Sequence, residues 1–199
     1  MRFALRRLYG KRKEMSEIEK SNVNIVQAPD GIEGPGFFVT MLDKAVGLGR
    51  KNSLWPLPFA TSCCGIEFMA TAAATYDLGR FGAERLSFSP RQADLLMVMG
   101  TISKKMIPVV RQVYQQMAEP RWVLAMGACA CSGGIFDTYS VLQGIDKIIP
   151  VDVYIPGCPP RPEQVIDGII QIQKLAESET TRRRNQPEYK ALMEKYGME

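Results

Sequence analysis

The chain has no histidine among its 199 residues. That absence removes Ser-His-Asp and Cys-His catalysis, Rieske-type ligation, haem held by histidine, and every mixed cysteine-histidine zinc site. Among thiolate-based metal sites, only the all-cysteine kind remains. Long apolar runs are missing too: none approaches the roughly 18 to 20 residues of a membrane span. The opening stretch MRFALRRLYGKRKEM has too short an apolar segment for a secretory signal. The expectation is a protein not itself integral to a membrane. Cysteine is scarce, five in all, and without an export signal these read as reduced thiols rather than a disulfide framework. No basic-aromatic platform is visible, so no nucleic-acid partner is expected.

What remains is 46% apolar, enough for one globular domain with a sizeable core and two tails. The expected division is a basic N-terminal extension over 1–34, a cysteine-bearing α/β domain over 35–178, and a polar C-terminal tail over 179–199. The net charge of +4 is unevenly spread. Arg2, Arg6, Arg7, Lys11, Arg12 and Lys13 crowd the first thirteen residues without an acid among them, and Arg182, Arg183 and Arg184 form a second run. Such ends suit anionic lipid or an acidic partner, and equally suit a solvated tail.

Three apolar runs closed by glycine read as buried parallel strands: Leu95 to Met99, Trp122 to Met126, and Val151 to Ile155. The run Leu54 to Ala60 contains Pro56 and Pro58, which confine it to an edge strand or an extended lead-in. Helical spacing appears over Phe37 to Leu48, from the tandem cysteines through GIEFMATAAATYD, over Ser103 to Met117, and over Pro162 to Leu175. Strand and helix alternate. That order predicts a parallel sheet with right-handed crossovers and a topological switch point at the carboxyl ends of its strands.

Four of the cysteines lie in three short phrases, TSCCGIEF at Cys63 and Cys64, MGACAC at Cys129, and PGCPPRP at Cys158. Each of the last two phrases follows one of the strand runs directly. Four thiolates converging on one point can hold a 4Fe-4S cluster, and a Cys-Pro step also closes the bacterial ferredoxin ligand run. Adjacent side chains diverge, so the tandem pair suits two iron corners better than one small ion. Buried unliganded thiols and a structural zinc are the rival readings, although zinc sites usually draw on C-x2-4-C knuckles. Cys131 forms only a C-x-C with Cys129 and is read as a non-ligand. On a helix, Glu67 shares a face with Cys63 and Cys64. Asp77 and Asp94 flank a stretch carrying Arg80, Arg85 and Arg91. Acids near a reducible cluster gain proton affinity on reduction, and arginines favour its reduced charge. A helix cap or a surface ion pair is the plain alternative for each acid. Met69, Phe81, Phe88 and Met99 are candidates for an apolar ligand wall or for core packing.

The phrases WPLPFATSCCGIEF, RFGAERLSFSPRQADLLMVMGT, EPRWVLAMGACACSGG and VDVYIPGCPPRPE resemble the B subunit family of proton-pumping NADH-quinone oxidoreductase, respiratory complex I. The likeness covers about Phe37 to Leu175. It implies a flavodoxin-like parallel sheet flanked by helices, related to the nickel-iron hydrogenase small subunit. It implies an electron-transfer subunit, inactive alone, whose Cys63, Cys64, Cys129 and Cys158 bind the terminal 4Fe-4S cluster, with Arg80 beside it. That cluster reduces quinone, the substrate shared with a large partner subunit. Glu67, Asp77 and Asp94 match acidic positions near it. The implied partners are that large quinone-site subunit, an upstream ferredoxin-like iron-sulfur subunit and a membrane-arm subunit. The implied place is the cytoplasmic face of a bacterial membrane, peripheral within the complex. Leu78 and Gly79 depart from a Met-Asp pair of the mitochondrial members, and Cys131 stands where near relatives usually carry Asn. A membrane-bound hydrogenase small subunit is the alternative function.

Overall fold

The computed structural model describes residues 36–178, 191 and 193–197. Along them run α1 (Gly36–Asn52), β1 (Pro56–Ala60), α2 (Cys63–Ala72), β2 (Leu95–Met99), α3 (Ile107–Gln116), β3 (Trp122–Met126), α4 (Ala128–Ser132), β4 (Val153–Ile155) and α5 (Pro162–Ser178). Thr40 opens the compact body that holds all four strands. The basic stretch over residues 1–13 and the arginines at 182–184 lie outside the described residues.

The strands form one parallel sheet in the order β1-β2-β3-β4. β2 and β3 are buried along their whole length, which their unbroken apolar runs require. Alternate side chains feed two cores. Leu95, Met97, Met99, Trp122, Leu124 and Met126 pack with Phe68 of α2 and with Val165, Ile169 and Ile172 of α5. Leu96, Val98, Val123 and Ala125 pack with Val110 and Tyr114 of α3 and with Ile145 and Ile149. β1 pairs only with β2, so its two prolines do sit on an edge strand.

Several expectations need correction. The strand order never reverses, so the switch point does not take that form. The helix after β1 covers one face of the sheet while the helix after β2 covers the other. After α2 the chain first runs along the outer edge of β1: Leu54 N–H donates to Gly82 O at 3.0 Å and Ser87 N–H to Pro56 O at 2.9 Å. The crossover from β1 to β2 is therefore a detour around an edge rather than a plain strand-helix-strand unit. α2 stops at Ala72, short of the expected Asp77, where the backbone turns extended at Ala73. β4 begins at Val153, because the Asp152 side chain takes the Val123 N–H at 2.8 Å. Some described residues of the C-terminal stretch make contacts with the domain. Met193 and Tyr196 pack against the second core, and the Tyr196 hydroxyl donates to Asp146 O at 2.8 Å.

Candidate metal centre

β1, β3 and β4 end side by side with β2 in one parallel sheet, so the loops leaving them share an edge. Those loops carry the cysteines: Cys63 and Cys64 open α2, Cys129 is the second residue of α4, and Cys158 follows β4. Cys64 and Cys129 are buried, whereas Cys63 and Cys158 are exposed, and all are free thiols. Cys63, Cys129 and Cys158 each lie close enough to Cys64 to act on its thiol. Burial, and then the charges of Cys63, Cys129 and Cys158, push the Cys64 thiol up to about 12, and Cys63 adds a hydrogen bond. Gly127, with φ of +89°, sits where any Cβ would overlap the Cys64 sulfur.

The loop that delivers the tandem pair is fastened to the end of β2. Thr61 Oγ1 lies 3.0 Å from Met99 O and 2.7 Å from Thr101 O, and Thr61 N–H donates to Met99 O at 3.0 Å. Ser62 Oγ accepts from Thr101 N–H at 2.9 Å.

Cys131 lies near Cys64 and Cys129, with its thiol turned to two backbone carbonyls. Its thiol lies 3.5 Å from Ala125 O and 3.6 Å from Ile155 O, at the ends of β3 and β4. Burial, followed by the neighbouring Cys64, pushes it up to about 12.

The remaining predicted residues divide. Glu67 lies on α2 beyond the tandem cysteines and is half-buried, and its charge helps raise the Tyr76 phenol, chiefly lifted by Glu163. The Tyr76 hydroxyl donates to Glu163 Oε1 at 3.3 Å, which ties the segment after α2 to the first turn of α5. Asp77 has φ of 50°, accepts from Gly79 N–H at 3.1 Å and pairs with Arg80 Nε at 3.4 Å. Arg80, expected beside the thiols, thus turns to Asp77 with its side chain 75% exposed. Asp94 precedes β2, at the opposite end of a five-residue strand from the cysteine loops, about 17 Å away. Burial raises its carboxyl and Arg50 opposes that. Met99 belongs to the core, whereas Met69 and Phe88 are exposed. Sequence reading missed Thr61, Ser62, Tyr76 and Glu163. Only the first two carried a signal, a hydroxyl pair directly before the tandem cysteines.

Four cysteine side chains, one per iron corner, are the kind of donor a 4Fe-4S core takes. Among the described residues no three such side chains close on the point a single ion would occupy. A 4Fe-4S core asks for wider-set sulfurs, one thiolate per iron corner, and tolerates adjacent cysteines on separate corners.

A parallel sheet whose carboxyl-edge loops carry four free cysteines defines a thiol-bearing α/β scaffold. The chain belongs to the family described as NADH ubiquinone oxidoreductase, 20 kDa subunit, whose pattern matches residues 62–172. The B subunit of the NADH-quinone oxidoreductase of Flavobacterium psychrophilum is 72% identical over 178 residues, 89% of this chain and 98% of its own length. A chain of the membrane-bound sulfane sulfur reductase, an archaeal respiratory membrane complex, is 38% identical with a TM-score of 0.68, covering 77% of this chain and 88% of that one. A chain of an actinobacterial-type nickel-iron hydrogenase from Ralstonia eutropha aligns at 15% identity and a TM-score of 0.44, covering 67% of this chain and 61% of that one.

Proposed function

We propose that this chain is the electron-transfer subunit of an NADH-quinone oxidoreductase, holding one 4Fe-4S cluster on Cys63, Cys64, Cys129 and Cys158. The observation that carries the reading is that three loops leaving one sheet edge hold Cys63, Cys64, Cys129 and Cys158 as free thiols, the other three close enough to Cys64 to raise it. Bound there, the cluster supplies one-electron transfer toward quinone. The chain's own residues do the rest. Core side chains such as Met99 and Met126 keep water from beneath the site. The exposed Cys63 and Cys158 leave its outer side for a large partner subunit that shares the quinone. Ile66, 72% exposed one turn beyond Cys63, and Ile135, 86% exposed, are apolar surface suited to that contact.

Glu67 is the acid we assign to redox-linked proton uptake, because it shares α2 with two ligands. Asp77 and Arg80 hold each other, and the Asp94 backbone joins Trp55 and Trp122 at the sheet's far end. An upstream ferredoxin-like iron-sulfur subunit and a membrane-arm subunit complete the partner set. Among the described residues no helix is long and apolar enough to cross a membrane. Peripheral attachment at the cytoplasmic face agrees with that.

Low-temperature EPR of the reduced complex tests the ligand set. Cys129→Ser is expected to abolish the terminal-cluster signal and Cys131→Ser to keep it; the reverse would overturn the assignment. A co-purifying large subunit with paired nickel-binding Cys-x-x-Cys motifs would favour the hydrogenase reading instead.

A further inference from the structure

Ser62 stands at the N-cap of α2, where serine ordinarily turns its hydroxyl onto the helix's own first amides. Here it makes no such bond. Its Oγ accepts from Thr101 N–H at 2.9 Å instead, so a local helix signal is spent on a contact 39 residues away. Beside it, the Thr61 hydroxyl reaches two carbonyls of the same stretch, Met99 O at 3.0 Å and Thr101 O at 2.7 Å, and Thr61 N–H adds a third link at 3.0 Å. Between those two carbonyls lies Gly100, with φ of +91°. A Cβ there would overlap Ser62 Oγ and stand 3.0 Å from Ser62 N, so the approach is closed to any other residue.

We propose that Thr61 and Ser62, locked onto Gly100 and Thr101, act as positioning residues for the tandem cysteines, setting the direction in which Cys63 and Cys64 present their sulfurs. The proposal rests on the cluster reading above and adds a determinant that is not itself a ligand. Two consecutive ligands leave a chain little freedom to adjust after the first sulfur is placed. The register of the residue immediately before them then decides both thiolate directions. Potential and spectral shape follow ligand geometry and hydrogen bonding around the sulfurs. A hydroxyl lock one residue before the pair therefore acts on the cluster's electronic signature more than on its retention.

The test uses the intact complex with Thr61→Val, Thr61→Ser and Ser62→Ala. For each, iron and acid-labile sulfide are measured, together with the g values and midpoint potential of the terminal cluster. The expected result is iron and sulfide at the wild-type level in all three, with shifted g values and a shifted potential in Thr61→Val and Ser62→Ala. Thr61→Ser restores both, because it keeps the hydroxyl. If Thr61→Val fails to assemble, Ser62→Ala, an exposed change, carries the same readout. Wild-type g values and potential in Ser62→Ala and Thr61→Val, or a shift that Thr61→Ser does not reverse, overturn the proposal. Failure of the underlying reading is distinguishable: a wild-type complex whose terminal-cluster signal survives Cys158→Ser has no cluster on this chain to position.

Discussion

Gly127 has φ of +89°, and its absent side chain leaves room for the Cys64 sulfur. Gly127→Ala is expected to cost about 1–3 kcal/mol from an extended positive-φ backbone, with ψ of 158°, that is essentially glycine's alone, and to displace Cys64 besides. Iron content per chain should fall in that variant and stay unchanged in Gly49→Ala, where nothing lies within 4 Å of the added carbon. A second residue-scale prediction concerns thiol chemistry in the cluster-free chain. With its thiol pushed up to about 12, Cys131 holds only about one part in ten thousand as thiolate at pH 8. Iodoacetamide followed by mass spectrometry should label the exposed Cys63 and Cys158 and reach Cys131 only after unfolding. Asp94 gives a pH dependence. Burial raises its folded-state pKa, so its contribution to stability is fully present below about 4 and is lost as pH rises through the folded value. Asp94→Asn should therefore melt higher than wild type at pH 7, with the gap closing as pH falls toward 4. The cysteines themselves were legible because each follows a strand-like run. Thr61 and Ser62 were not, since Ser62 looks like an ordinary helix cap until its partner Thr101 is seen.

At the scale of elements, the two central strands match their apolar runs end to end, because burial on both faces leaves no room for polar interruption. The failures share a cause: tertiary contacts override local preference. The stretch TAAATYD is composed like a helix, yet Tyr76 is drawn to Glu163, Leu78 enters the first core, and Asp77 takes a left-handed turn. In α1 the periodic residues Met41 and Leu48 are 56% and 54% exposed, so helical spacing correctly predicted the helix while its apolar side faces away from the two cores. In the C-terminal stretch, a charged composition hides two anchors. Arg111 holds the Tyr196 carbonyl at 2.8 Å, and Met193 lies 4.0 Å from the Tyr114 hydroxyl. Ending the chain before residue 191 should lower stability by about 2 kcal/mol or more, the scale for exposing one or two large apolar side chains. Urea unfolding monitored by circular dichroism would measure the loss.

For the molecule as a whole, one sheet divides two cores and gathers its thiols along a single edge. That edge is incomplete in water, since two of the four sulfurs and several apolar side chains lie open. The isolated, reconstituted chain should lose iron in air much faster than the assembled complex, and timed iron analysis would show whether covering the edge provides the protection. The parallel architecture was readable from strand and helix alternation. The unreversed strand order was not, because the detour along β1 is written in turns and backbone hydrogen bonds that no periodicity announces.

The wide separation of Cys63, Cys129 and Cys158 along the chain also bears on biogenesis. A ribosome has made most of the polypeptide before the last donor exists, and that donor reaches the others only once β3 and β4 are laid beside β2. On the ligand set proposed above, inorganic sulfide and iron are accepted only after β3 and β4 have paired, which ties maturation to folding.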